Sequence, residues 1–104
     1  MTVSKISELK GFMPEHEGTA LTKWSEEFSS IGPIMEIGSY CGKSAMYLSK
    51  GAILNDQLVY TIDHHFGSEE HQINEEYFDN EIFDYKNQRV NTLPLLIKIL
   101  IKCR

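Results

Sequence analysis

Two short, mainly apolar runs without glycine or proline stand out in the hydrophobic pattern of the chain. They cover residues 34–37 and 58–62, and both have the length of a buried strand rather than of a helix. The first run leads into a glycine-containing bend at residues 38–42, and residues 43–50 then show helical spacing. The pattern therefore predicts a strand, a bend, a helix and a second strand, which is the unit from which parallel α/β sheets are built.

A longer helical pattern precedes this unit. Apolar side chains recur at helical spacing within residues 15–30, at Ala20, Leu21, Trp24 and Phe28. This spacing predicts an amphipathic helix with its aromatic side in the core and its polar side in water. Gly32 and Pro33 end the pattern, and Gly51 is placed to end the helix at residues 43–50.

A third helix is predicted at residues 92–104, with Thr92 as its N-cap. Its apolar residues lie on nearly every side: Leu93, Leu95, Leu96, Ile97, Ile99, Leu100 and Ile101. A helix that is apolar all round is typically buried inside a larger protein. Two parallel strands likewise leave edges and faces that further elements usually cover. We therefore expect the front half of a larger α/β domain, or a unit whose remainder another chain supplies.

The pattern divides residues 1–104 into four parts of one partial α/β domain. Residues 1–32 are a helical lead-in, and residues 33–63 are the strand–turn–helix–strand core. Residues 64–91 show no clean periodicity and are expected to form an irregular loop, and residues 92–104 are the apolar helix.

Charge and cysteine content narrow the classes of function. The formal net charge is −5, which argues against nucleic-acid binding driven by phosphate neutralisation. The two cysteines, Cys41 and Cys103, form neither a disulfide framework nor a zinc motif, so a reducing cytoplasm is expected. The first residues lack the apolar core of a signal peptide, and no stretch approaches the length of a membrane span.

The candidate chemistry lies where the two predicted strands end. The first strand ends in the bend with Gly38 and Gly42, and the second ends in Asp63. Because adjacent parallel strands end at the same edge of a sheet, the glycines and the carboxylate are expected to lie side by side. Glycines let a ligand approach the backbone, and a carboxylate accepts hydrogen bonds from the two hydroxyls of a ribose.

The bend also carries a resemblance to a known family, in the string Glu36-Ile37-Gly38-Ser39-Tyr40-Cys41-Gly42-Lys43-Ser44. It resembles the first motif of class I S-adenosylmethionine-dependent methyltransferases, in the branch of catechol O-methyltransferase-like and related small bacterial enzymes. Residues 64–70 are also similar to that bacterial branch. The resemblance implies a Rossmann-like parallel sheet, of which this chain would hold the N-terminal, cofactor-binding half, with S-adenosyl-L-methionine as cofactor and a small-molecule methyl acceptor.

The resemblance also implies roles for individual residues. The acid at Glu36 would lie near the amino group of the methionyl moiety, and Asp63 would hold the ribose diol, with His64 beside the adenine and ribose. The methionine end would be lined by the bend, at Gly38, Ser39, Tyr40, Gly42 and Ser44. Tyr40 stands where a dinucleotide fingerprint has its middle glycine, which disfavours a pyrophosphate-containing cofactor. Catalytic residues of the family usually follow a later strand, so none is assigned here.

Other interpretations remain open. Residues 64–71 are rich in imidazole and carboxylate groups, a combination that suits transition metals. A solvated loop is the preferred explanation, and no metal site is assigned. Asp63, His64 and His65 also resemble the Asp-His-His signature of metal-dependent phosphoesterases. Cys41 near a helix N-terminus is a weak nucleophile candidate. A third alternative is a catalytically silent fragment or one half of a split methyltransferase.

Overall fold

A computed structural model describes the backbone of residues 3–102 and the side chains of residues 5–100. Cys103 and the end of the predicted helix at residues 92–104 therefore lie outside the described residues. The described helices and strands are α1 (Val3–Ser7), α2 (Glu15–Phe28), β1 (Ile34–Ile37), α3 (Lys43–Ala52), β2 (Val59–Ile62), β3 (Phe83–Asp84), β4 (Arg89–Val90) and α4 (Leu93–Lys102). Short 3₁₀ turns lie at Ile53–Asn55, Glu69–His71 and Asn80–Ile82.

The strands β1 and β2 pair in parallel, with α3 as the crossover between them. Their register runs from Ile34 opposite Val59 to Ile37 opposite Ile62. One further backbone hydrogen bond of 2.8 Å, from the N–H of Gly38 to the carbonyl of Ile62, carries the pairing into the bend. The predicted strand–bend–helix–strand unit is thus confirmed, and the chain is a mixed α/β protein.

The two faces of this small sheet differ in what covers them. Alternate residues are partly buried on the side where α3 packs against both strands. The opposite face is exposed and apolar, and it consists of Met35, Ile37, Tyr60 and Ile62. We call these four side chains the open sheet face. Parallel sheets are normally covered on both faces, so this surface departs from the usual arrangement.

Helix α2 packs on α3 with a side that the hydrophobic pattern did not predict. Trp24 and Phe28 are 58% and 53% exposed, so the expected burial of the aromatic side is wrong. The buried residues of α2 are Gly18 and Ser25. The Oγ of Ser25 donates to the carbonyl of Leu48 at 2.6 Å, so the polar side chains of this interface bond to the backbone of α3.

Two glycines explain why the small-residue side of α2 is the one that packs. A Cβ on Gly18 would lie 2.2 Å from Cε2 of Tyr47, and one on Gly51 would lie 2.3 Å from the carbonyl oxygen of Thr22. Neither position tolerates a side chain at this separation of the helices. Helix α3 ends at Ala52, so Gly51 is its next-to-last residue, and the prediction that Gly51 ends the helix is wrong by one residue.

Residues 64–91 are less irregular than the sequence suggested, because they contain the antiparallel pair β3–β4. Side chains from this pair join α4 and the bend in the main apolar cluster, which consists of Cys41, Ile82, Phe83, Val90 and Ile99. Helix α4 buries Leu96 and Ile99 but leaves Leu93, Ile97 and Leu100 40–46% exposed. Among residues 3–102, no helix combines the length and the apolar character that crossing a bilayer requires.

Candidate functional site

The bend between β1 and α3 takes left-handed backbone conformations at three of its five residues. The φ angles are +96° at Gly38, +48° at Tyr40 and +96° at Gly42. Glycine adopts such angles without steric cost, which explains Gly38 and Gly42. At Gly42 a Cβ would also lie 2.7 Å from Cδ1 of Leu96, so α4 approaches the bend closely. Tyr40 holds the same region against the usual preference of a residue with a side chain.

Asp63 fastens the tip of β2 to this bend. Its Oδ2 accepts a hydrogen bond of 2.8 Å from the backbone N–H of Tyr40, and its Oδ1 accepts one of 2.9 Å from the backbone N–H of His65. The glycine bend and the carboxylate therefore lie side by side, as the sequence predicted. Each carboxylate oxygen keeps a lone pair for a further donor.

The local electrostatics keep Asp63 ionised. Burial of the side chain, which is 15% exposed, opposes ionisation. The N–H groups of His65 and Tyr40 outweigh that cost, and the pKa of Asp63 lies below its usual value. The group is therefore a carboxylate at neutral pH and an acceptor for hydroxyl groups.

Glu36 points into the junction, where hydroxyl groups surround it. Its Oε1 accepts a 2.8 Å hydrogen bond from Oγ1 of Thr61, and its Oε2 accepts one from Oγ of Ser44. Ser39 is buried, and its Oγ bonds to the same Thr61 hydroxyl. These side chains link β1, β2 and α3 to one another, so in this structure they shape the bend.

The ring of Tyr40 belongs to a group of aromatic side chains beside the bend. Its centroid lies 5.5 Å from that of Phe12 and 5.1 Å from that of His71, and Phe12 lies 5.0 Å from Tyr77. The hydroxyl of Tyr40 is buried without a hydrogen-bond partner among the described residues, and burial raises its pKa to about 12. Tyr40 is thus a neutral phenol that presents a ring rather than a charge.

The histidines of residues 64–71 point to separate partners. His64 is exposed and stacks on Phe66 at 5.6 Å, and its Nδ1 accepts from the N–H of Phe66. His65 pairs with Oγ1 of Thr92, and His71 caps the turn that starts at Ser68. In residues 3–102 no three His, Cys, Asp or Glu side chains converge in a way that would hold a metal ion.

Cys41 sits in the bend but is a core residue. Its side chain is fully buried in the apolar cluster, and burial raises its thiol pKa to about 11. A thiol with this pKa is almost entirely protonated at neutral pH, and it is the thiolate that acts as nucleophile. The structure therefore gives Cys41 a packing role.

A small cavity of about 100 Å³ opens between the bend and the segment that precedes α2. One wall is formed by Ser39 and Tyr40 of the bend and by Lys43 and Ser44 of α3. The other wall is formed by Gly11, Phe12 and Met13. Larger grooves, of about 440 and 630 Å³, lie against other surfaces and contain no residue of the predicted site. Sequence reasoning missed residues 11–13, because nothing in their composition relates them to a strand tip distant in the chain.

The fold and the site together define a small α/β protein with a glycine bend and a carboxylate at adjacent parallel strand ends. Comparison with protein-family models gives no match for the chain.

Proposed function

We propose that this chain is the cofactor-binding half of a Rossmann-like class I methyltransferase and that it binds S-adenosyl-L-methionine at the edge formed by the bend and Asp63. The observation that carries the proposal is the pair of hydrogen bonds from the backbone N–H groups of Tyr40 and His65 to the Asp63 carboxylate. They hold an ionised acceptor next to a bend that carries no side chain at Gly38.

The open space at the bend and the negative charge beside it suit such a cofactor. A Cβ at Gly38 would meet nothing within 4 Å, so the outer side of the bend is open to a ligand. The Asp63 carboxylate suits the two hydroxyls of a ribose. The exposed ring of His64 follows directly in the chain and offers a flat surface for an adenine.

The proposed contact between Glu36 and the methionine end of the cofactor is less direct. Both oxygens of Glu36 already accept hydrogen bonds from hydroxyl groups. Each oxygen has a second lone pair, so an ammonium group can still bind Glu36 from the open side of the bend. In this arrangement Ser39, Tyr40, Gly42 and Ser44 position the bend, and the exposed backbone at Gly38 lines the ligand.

The cofactor, when bound, carries the methyl group on its sulfonium, and the acceptor would be a small molecule that is not a nucleic acid. Transfer requires in-line positioning of the acceptor and removal of its proton. Catalytic residues stay unassigned, so a catalytically silent or split methyltransferase is the alternative within the same family. A complementing chain or further copies of this one would cover the exposed side of α4, formed by Leu93, Ile97 and Leu100.

The phosphoesterase alternative gains no support from the geometry. It requires Asp63, His64 and His65 to act on one metal centre. The Nδ1 of His64 instead accepts from a backbone N–H, and the Nδ1 of His65 pairs with Thr92. Metal analysis of the purified chain tests this alternative, because one or two bound transition ions per chain would restore it.

Calorimetric titration with S-adenosylhomocysteine, the demethylated product, tests the main proposal. We expect saturable binding of this ligand and no binding of NADH under the same conditions, because the side chain of Tyr40 occupies the place of the middle fingerprint glycine. Absence of S-adenosylhomocysteine binding would refute the proposal, and binding of NADH would contradict the exclusion of a dinucleotide. Incubation with S-adenosylmethionine and phenols, catechols or amines is a separate assay, in which a methylated product would show that residues 1–104 include an acceptor site.

A further inference from the structure

Residues 9–13 cross from α1 to α2 and pass beside the bend, and we call them the strap. Leu9 packs against the apolar cluster that contains Cys41. Gly11 lies on the side chain of Lys43, where a Cβ would come within 3.1 Å of Cδ. Phe12 and Met13 form the outer wall of the small cavity at the bend. The strap thus covers one side of the proposed ligand site without belonging to the strand–bend–helix unit.

An ion pair joins the strap to the 3₁₀ turn at Asn80–Ile82. The Nζ of Lys10 contacts Oδ2 of Asp79, and it lies 3.1 Å from Oε2 of Glu81. The side chains of Lys10 and Asp79 are each 27% exposed, so water screens this contact only in part. Ile82, which follows Glu81 in the chain, belongs to the same apolar cluster as Cys41, so the ion pair lies near that thiol.

The strap is also held by contacts between the ring of Phe12 and neighbouring aromatic side chains. Phe12 is 58% exposed, yet its ring stacks on His71 at 5.8 Å and meets the edge of Tyr77 at 5.0 Å. A side chain this exposed contributes less to stability than a core residue of the same size. At Lys10 and Phe12 the strap is therefore held by partly exposed contacts, whereas Leu9 joins it to the apolar cluster.

The cavity between the strap and the bend is small. A nucleoside cofactor is usually held in a pocket of roughly 300–1,000 Å³. The cavity between the strap and the bend measures about 100 Å³, which accommodates only a fragment of such a ligand. Neither Gly38 nor Asp63 lines this cavity, so the ribose end of a cofactor can bind on the open side of the bend. The rest of the cofactor reaches the space beside Ser44 only after residues 11–13 have shifted outward.

We propose that the strap is the movable outer wall of the ligand site, and that Lys10 is the positioning residue that holds it closed through Asp79 and Glu81. The identity of the ligand rests on the function proposed above, whereas the closure of the strap does not depend on it. Opening would expose the bend from the side of Phe12 and Met13 and would withdraw Leu9 from the apolar cluster in which Cys41 is buried.

Cys41 provides a direct measure of opening, because its thiol is fully buried when the strap is closed. The experiment measures the rate at which iodoacetamide alkylates Cys41 in a Cys103→Ser background, without ligand, at pH 8.5. We expect Lys10→Met to raise this rate by about fivefold, the scale of one partly buried ion pair. We expect Lys10→Arg to restore a rate close to that of the parent protein.

Two control variants separate local opening from other effects. Lys98→Met removes a charge from the groove that Lys10 also lines, and it should leave the rate unchanged. Ser25→Ala removes a buried hydrogen bond of the α2–α3 interface and weakens the protein elsewhere. If Lys10→Met leaves the rate unchanged, or if Ser25→Ala raises it by the same factor at equal unfolding free energy, the proposal is overturned.

A second part of the experiment tests whether the strap forms a wall of the ligand site. Saturating S-adenosylhomocysteine should slow the alkylation of Cys41 in the parent protein, and Lys10→Met should speed dissociation of this ligand. If the ligand binds the parent but dissociates equally fast from Lys10→Met, the strap is not a wall of the site and only this inference fails. If the parent does not bind the ligand, the proposed function and the wall assignment fail together, while the alkylation rates still decide whether Lys10 holds the strap closed.

Discussion

The backbone N–H of Tyr40 donates a hydrogen bond of 2.8 Å to Oδ2 of Asp63, across 23 residues of chain. This bond joins the tip of β2 to the middle of the bend that follows β1. It also holds Tyr40 in its left-handed conformation at φ +48°. The same carboxylate therefore contributes to the local fold and to the proposed ribose site, and a variant of Asp63 changes both.

Replacement of Asp63 by asparagine separates these two contributions. The amide oxygen can still accept from one backbone N–H, but the NH₂ group faces the other donor, so we expect a loss of about 1–2 kcal/mol in unfolding free energy. Affinity for S-adenosylhomocysteine should fall at least tenfold, because the acceptor for the diol has lost its charge. Urea unfolding and calorimetry measure the two effects.

Asp56→Asn is the matched control for this variant, since Asp56 is an exposed turn residue on the N-terminal side of β2. Both its stability and its affinity should equal those of the parent. Unchanged affinity in Asp63→Asn would contradict the assignment of Asp63 to the ligand.

Acid should destabilise the protein through Asp63 and Asp79. Burial opposes ionisation of both, but backbone donors at Asp63 and Lys10 at Asp79 leave each pKa below its usual value. The folded state thus favours the carboxylate form. This stability is fully present above the unfolded-state pKa of about 3.9 and is lost as the pH falls through the lower folded-state values.

Urea midpoints between pH 7 and pH 2.5 measure this dependence. We expect these two groups to contribute little change between pH 7 and pH 5.5 and a steep loss below about pH 4. The loss should be shallower in Asp79→Asn and in Lys10→Met, because each variant removes the contact that favours ionised Asp79. An identical acid slope in all three proteins would be inconsistent with this account.

The sequence predicted the strand–bend–helix–strand unit because the relevant signals are local. The strand β1 falls on residues 34–37, where an uninterrupted run precedes Gly38. The carboxylate follows the second run directly, and adjacent parallel strands bring their ends to one edge. Neither inference needs information about residues distant in the chain.

The packing of α2 could not be predicted in the same way. Periodicity identifies Trp24 and Phe28 as the apolar side, but a helix can also pack through small residues when a facing glycine permits close approach. Here Gly51 on α3 receives the backbone of α2 at Thr22, a pairing that only the tertiary structure reveals. The strap was missed for a related reason, because Lys10 meets Asp79 across 69 residues of chain.

This close helix contact gives a prediction about stability. Gly18→Ala places a methyl group 2.2 Å from the ring of Tyr47, and Gly51→Ala places one 2.3 Å from the carbonyl oxygen of Thr22. We expect each variant to lose about 1–3 kcal/mol of unfolding free energy, although alanine favours helices. Gly32→Ala is the control, since a Cβ there would meet nothing within 4 Å. Urea unfolding of the three variants is the measurement, and equal stabilities would contradict the close contact.

The open sheet face should make the protein associate with itself or bind apolar dyes. Ile37 is 80% exposed and Ile62 is 54% exposed, and apolar patches of this kind usually mark interaction surfaces. We expect concentration-dependent association in sedimentation velocity, and we expect Ile37→Lys to reduce both association and the fluorescence of bound anilinonaphthalene sulfonate. Ile53→Lys is the control, because Ile53 is 73% exposed but follows α3, outside the open sheet face. Equal effects of the two substitutions would show that the sheet face has no special role and that exposed apolar area in general drives association.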